Sequence, residues 1–268
     1  RVSFMAAGNK RGLAQSIYQV GGNSGQALAP LISAFLILPF GMYGASFVLI
    51  LTAIGIFMLT KIAIWYRKQL EEEKLSKVKK VLVSSLPPLT KKQVGIALSL
   101  LLVIIFARSF YVTNITNFYV FYLIQEYGLT IEKGQLLIFL FMACGVVGTF
   151  FGGSLSDRIG RKNVILISVV VPIPLCLALP YVPLWLVVIL LIVIGSLIMI
   201  SFSVTVVYAQ ELVPTKIGTM AGLTVGLAFG MGAIGSVLIG ILMDKIGIET
   251  TMMIISALPI LMLVALAL

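Results

Sequence analysis

Three groups of residues in this chain have types and spacings that can do chemistry. The sharpest is Arg108, which sits in the middle of an apolar stretch. It lies about 15 residues in, roughly 22 Å along a helix axis, too central to bring its charge to either end easily. At about 100° per residue, Tyr111, Ile115, Tyr119 and Tyr122 fall within about 60° of its direction, whereas Asn114 and Asn117 lie on other faces. The acidic residues sit in loops or near helix ends, none at comparable depth. A buried cation then meets an anion, a backbone carbonyl or an acid from another helix. Arg108 therefore reads either as part of an anion-binding cavity or as a structural pair. The second group is Gln15, Gln19, Asn23 and Gln26. Spacings of 4, 4 and 3 put all four on one helix face. A polar stripe among apolar residues lines a cavity or hydrogen-bonds a neighbouring helix. The third group is the loop from Gly153 to Lys162: Gly153, Leu155, Asp157, Arg158, Gly160, Arg161 and Lys162 in the pattern G-x-L-x-D-R-x-G-R-K. Its glycines permit close approach and a left-handed turn. Asp157 can cap the next helix or pair with Arg161.

Other chemistries have no residues to carry them. The chain has no histidine, and its two cysteines, Cys144 and Cys176, lie within apolar runs. They read as small core residues, not as a disulfide or a metal pair. There is no nucleophile–base pair, no metal-ligand cluster and no phosphate-binding glycine loop followed by lysine. The expectation is a protein that is not an enzyme, needs no cofactor or metal, and is not an ATP-driven pump.

The elements that must hold these groups are set by composition. Of 268 residues, 60% are hydrophobic and 10% charged, against about 25% charged in a soluble domain. Eight apolar segments follow, near 13–38, 43–66, 93–125, 134–155, 164–181, 184–210, 217–243 and 250–268. A hydrocarbon core about 30 Å thick takes about 20 residues of helix, so each is a transmembrane candidate, the fifth near the lower limit. No stretch has the alternation of a membrane barrel. The fold class is all-α, a polytopic membrane protein with eight transmembrane helices.

Connecting segments fix an expected orientation. Of 19 Lys and Arg, fifteen fall in alternate connections on one side and two on the other, with Lys61 and Arg108 inside helices. Basic loops stay in the cytoplasm, so the N-terminus and the long 67–92 loop are expected there. The net charge of +10 is thus read as orientation within a lipid bilayer and not as a nucleic-acid surface. The long loop, with Glu71–Glu73, scattered lysines and Pro87-Pro88, reads as a solvated linker that begins as a short surface helix. On the seventh helix Gly218, Gly222, Gly226 and Gly230 repeat every four residues, the spacing of helix packing.

The chain also repeats itself. Gly240-x-Leu242-x-Asp244-Lys245-x-Gly247 echoes Gly153-x-Leu155-x-Asp157-Arg158-x-Gly160, and a shift of 210 aligns Gly12, Gly22 and Gly25 with Gly222, Gly232 and Gly235. Such internal symmetry marks transporters built from repeated bundles. The Gly153–Lys162 pattern resembles the signature of the major facilitator superfamily, found after its second and eighth helices. More narrowly, Arg11–Asn23 and Tyr208-Ala-Gln210-Glu211-Leu-Val-Pro214 resemble the fosmidomycin-resistance branch of bacterial efflux proteins.

The resemblance implies twelve helices in two six-helix halves, of which these eight are helices five to twelve. The division is then 1–66, the last two helices of the N-terminal half; 67–92, the central cytoplasmic loop; and 93–268, a complete C-terminal six-helix bundle. It implies a secondary active transporter of the bacterial inner membrane, working by alternating access. Such a protein exports a small drug or organic anion, with protons as the exchanged ion. A metabolite importer or exchanger of the same fold is the alternative, as is a non-transporting truncated membrane protein. The family's antiporter signature is only approximated by Gly22-Asn-Ser-Gly25-Gln-Ala-Leu-Ala-Pro30. The Gly153–Lys162 loop is implied to latch one half onto the other. Arg108, Tyr111, Tyr119 and Tyr122, with Gln15, Gln19, Asn23 and Gln26 opposite, are the expected substrate cavity. Partner helices N-terminal to this chain are expected from the same transporter, and the chain alone is expected not to transport.

Overall fold

Where water is excluded, backbone N–H and C=O groups must bond within their own segment. Every element described is accordingly helical, with no strand among the described residues. The structure is a computed structural model that describes residues 11–75 and 90–267. Among these residues, eight helical passes follow in the expected order. The first is α1 (Arg11–Ile32), prolonged by a π-helical turn (Ser33–Ile37) and Leu38–Phe40. Pro30 inside α1 removes one intrahelical donor, a usual cause of such a bulge. Then come α2 (Met42–Leu75), α3 (Lys91–Tyr127) and α4 (Ile131–Ile159). The fifth pass is broken into α5 (Arg161–Val170) and α6 (Pro172–Ala178), with Pro172 starting the second piece. The last three are α7 (Leu184–Leu212), α8 (Ile217–Ile246) and α9 (Ile248–Ala257), the last prolonged by a 3-10 stretch (Leu258–Ala267). Five stretches from Lys92 to Ile246 are long and apolar enough to cross a membrane, and Ile248–Leu263 is a shorter apolar helix.

The stretch from Arg67 differs in detail from its expectation as the start of a linker. It is no separate surface helix but the last turns of α2, which run on to Leu75. Arg67 Nε meets Glu71 Oε1 at 3.3 Å, an i,i+4 pair that favours this continuation. Pro87-Pro88 lies outside the described residues.

The turns are set by local chemistry. Thr90 and Gln93 form a reciprocal cap: Gln93 N–H donates to Thr90 Oγ1 at 3.3 Å, and Thr90 N–H to Gln93 Oε1 at 2.9 Å. Gly160 and Gly247 end the two echoing motifs, and both have positive φ, 92° and 82°. Each is followed at once by a ten-residue helix, α5 or α9. The sequence echo is therefore an echo of backbone shape.

Two apolar cores stack along the bundle. One joins Tyr111, Tyr119, Phe141, Leu191, Ile194 and Ile255; the other joins Leu101, Ile104, Ile165, Val204, Phe202 and Ala228. Both α3 and α7 run through the two. Residues Ser201 to Leu212 of α7 are buried on every face. Glycines bring α4 and α7 into backbone contact. A Cβ at Gly148 would strike the Ser196 carbonyl, and one at Gly152 the Ile200 carbonyl. Gly12 and Gly153 do the same for α1 and α4. By contrast, Gly218, Gly222, Gly226 and Gly230 have no described atom within 4 Å of an added Cβ, so the stripe packs against nothing among the described residues. The close contacts of α8 come from Gly232 against Thr113 and Gly235 against Phe110.

Candidate functional site

The site is built on α1, which meets the rest of the bundle along one face and opens a cavity along the next. At about 100° per residue, Gly12, Ser16 and Asn23 lie within about 40° of one another. Each makes a polar contact. The Gly12 and Leu13 N–H groups donate to Asp157 Oδ1 and Oδ2, at 3.2 and 3.1 Å. Ser16 Oγ and Ser203 Oγ are 2.7 Å apart, and Asn23 Nδ2 donates to Thr149 Oγ1 at 3.1 Å. Asp157 thus holds the start of α1, where free donors and the helix dipole both favour an anion. It does not cap the helix that follows it.

Asp157 is itself held. Arg161 Nη1 meets its Oδ1 at 2.6 Å, and Arg161 Nη2 meets Glu211 Oε1 at 3.2 Å. The Glu211 side chain is 2% exposed. Ser156 Oγ accepts from Arg161 Nη1 at 3.1 Å and donates to the Gly153 carbonyl at 2.8 Å. One guanidinium therefore links the ends of α4 and α7 through two carboxylates, and one carboxylate passes the linkage to α1. Arg158 and Lys162 are exposed. Leu155 packs on the apolar core beside α5.

The cavity encloses about 570 Å³ between α1, α7 and α8. Gln15, Gln19, Asn23 and Gln26 all line it, with Tyr18 and Gly22 from α1. From across it come Gln210 and Val206 of α7, and Ala221, Gly222, Val225 and Phe229 of α8. Its size suits a small organic ligand.

The structure does not bring Arg108 or the tyrosines to this cavity. Arg108 is 3% exposed. Its Nη1 donates to Ser201 Oγ at 3.3 Å and Thr205 Oγ1 at 3.5 Å, and its Cζ lies 4.7 Å over the Phe202 ring. No ion pair joins it to an acid among the described residues. The two hydroxyl partners occupy the face of α7 turned to α3, about 100–180° around the helix from Val206 and Gln210. Tyr111, Tyr119 and Tyr122 belong to the other apolar core, or its edge. Tyr119 and Tyr122 stack at 5.5 Å, and Tyr122 Oη donates to the Pro180 carbonyl at 3.2 Å. Shared direction on α3 did not give shared surroundings, because these residues span four turns and meet different neighbours.

Sequence reasoning passed over Gln210, Glu211, Ser16 and Ser203 as site residues. The available signal was a run of polar side chains, Ser201, Ser203, Thr205, Tyr208, Gln210 and Glu211, inside an otherwise apolar segment.

Apolar helical passes with a polar cavity between them define a multi-pass helical membrane protein. The chain belongs to the Major Facilitator Superfamily, whose family model matches residues 2–225; it is a family of transporters, not of enzymes. The chain is 50% identical, over 99% of its own length, to the uncharacterized MFS-type transporter YfnC of Bacillus subtilis (strain 168), covering 64% of that protein. It is 41% identical, over 97% of its length, to the fosmidomycin resistance protein of Escherichia coli (strain K12), covering 63% of it. The chain thus spans less than two thirds of the length of these relatives.

Proposed function

We propose that this chain is the substrate-handling part of a secondary active exporter that moves a small polar drug or organic anion, of the kind fosmidomycin represents, by alternating access. The observation that carries this reading is the double use of α1. One face of it is clasped by Asp157 to the ends of α4 and α7, and the next face lines the polar cavity. Breaking the clasp frees α1 to move against α7 and α8, which opens the cavity at that end. An alternating-access cycle needs a bistable contact of this kind beside the ligand.

In this reading the Asp157 end is cytoplasmic in a bacterial inner membrane, as the basic loops favour. Closure of the clasp belongs to the state that opens outward. Arg108 braces α3 against α7. Helices N-terminal to this chain, from the same transporter, complete the cavity wall, and protons are the exchanged ion. The relatives' greater length supports the added helices, and the name of the second relative supports the choice of drug.

The test is transport by the complete protein in inside-out membrane vesicles. Fosmidomycin is expected to accumulate when the vesicle interior is acidified, and an uncoupler is expected to abolish this. Accumulation only in right-side-out vesicles would instead identify an importer.

A further inference from the structure

Three carboxamides line the cavity without protein partners. Gln15, Gln19 and Gln210 are 9%, 7% and 3% exposed, and each lines the same open cavity. No hydrogen bond is made by their side chains among the described residues, although the neighbouring Asn23 is engaged with Thr149. Their polar atoms are open to the cavity, where water or a ligand can pair with them. Three of them, from opposite walls, are more than helix packing requires.

The charge of the wall is as informative. The described lining holds no lysine, arginine, aspartate or glutamate. Arg161 is committed to Asp157 and Glu211, and Arg108 to Ser201, Thr205 and Phe202. A carboxamide presents a donor beside an acceptor and pairs best with a group offering the complementary edge. Around the amides, Tyr18, Phe229, Val206 and Val225 suit a short apolar or planar portion.

We infer that this wall selects its ligand by an uncharged group that carries a hydrogen-bond donor next to an acceptor, an amide or hydroxamic acid, with Gln210 as the residue that sets this specificity. The inference rests on the reading of the cavity as the exporter's ligand site. It separates the recognition of the ligand's neutral group from that of any charge the ligand also bears. Gln210 is suited to the role because it reaches the cavity from α7, across from Gln15 and Gln19, so a ligand can be held between two walls.

Fosmidomycin can be divided to test this. N-hydroxy-N-propylformamide is its neutral half, and propylphosphonate carries its charge alone. Binding of all three compounds to the full chain in nanodiscs is measured by ligand-observed NMR, for wild type, Gln210→Leu and Gln210→Met. The neutral half and fosmidomycin are expected to bind wild type, and both are expected to weaken at least tenfold in each variant. Propylphosphonate is expected to show at least tenfold weaker binding than the neutral half. A thermal midpoint unchanged from wild type establishes that either variant is folded. The inference is overturned if propylphosphonate binds as well as fosmidomycin, if neither hydroxamic compound binds, or if folded Gln210→Met binds both as wild type does. Failure of export is scored separately in vesicles: hydroxamic binding lost with Gln210, together with no transport, sinks the exporter reading and leaves the recognition standing.

Discussion

At the scale of single residues, the structure separates two charged side chains that the sequence singles out. Asp157 meets two backbone donors of α1 and the guanidinium of Arg161, which links on to Glu211. Replacing it with asparagine keeps one acceptor oxygen and removes the charge. Charge-assisted bonds of this type contribute about 1–3 kcal/mol each. Asp157→Asn is therefore expected to raise hydrogen exchange at the Gly12 and Leu13 amides about tenfold or more; unchanged exchange would count against the clasp. Arg108 has two hydroxyls and one ring. Arg108→Gln is expected to lower the thermal midpoint by several degrees while fosmidomycin affinity stays within about twofold. A large loss of affinity at an unchanged midpoint would restore Arg108 to the ligand site. The loop motif and the glutamine stripe were legible in the sequence because their spacing is short and local. The surroundings of Arg108 and the place of Gln210 on the cavity wall were not, because both depend on which face α7 turns to α3 and which to α1. A period of 3.6 residues relates side chains within a helix and is silent about the neighbour each one meets.

At the scale of elements, the close helix contacts among the described residues are made away from the regular glycine stripe. The regular stripe Gly218–Gly230 meets no described residue, whereas Gly148, Gly152 and Gly195 seat α4 against α7 at backbone distance. A side chain at Gly148 or Gly152 would collide with a carbonyl, which cannot swing away. Gly148→Leu and Gly152→Leu are each expected to abolish or halve the yield of folded protein in size-exclusion chromatography. Gly226→Ala is expected to be tolerated in this chain, with the added helix propensity worth about 0.5–1 kcal/mol. Normal folding of Gly148→Leu would mean that α4 and α7 do not touch backbone to backbone at this point. The helix count was legible because eight apolar runs are separated by turn residues and charges. The break at Val171–Pro172 and the bulge after Pro30 also follow from proline's missing donor. The continuation of α2 to Leu75 was harder to see, since a charged run of good helix formers reads equally as solvated linker.

At the scale of the whole molecule, the two ends of the bundle differ in charge, and orientation is the property to measure. Thr215 lies in the turn at the end that carries Asp157, and Lys133 begins α4 at the other. Single cysteines at these positions are expected to react with an impermeant maleimide from opposite sides of intact cells, Lys133→Cys from outside and Thr215→Cys only after permeabilisation. The reverse pattern would invert the orientation and, with it, the sense of the clasp. A last consequence concerns where motion is slowest. Helix ends usually fray first, yet the final turns of α7 are buried, and the helix is touched by α1, α3, α4, α5, α6 and α8. Its opposite end is open to lipid at Trp185 and Ile189. Protection against deuterium uptake should therefore climb along α7 toward its C-terminus. If the transport cycle proposed above operates, Ser201 to Leu212 are its fixed axle, around which the other helices turn.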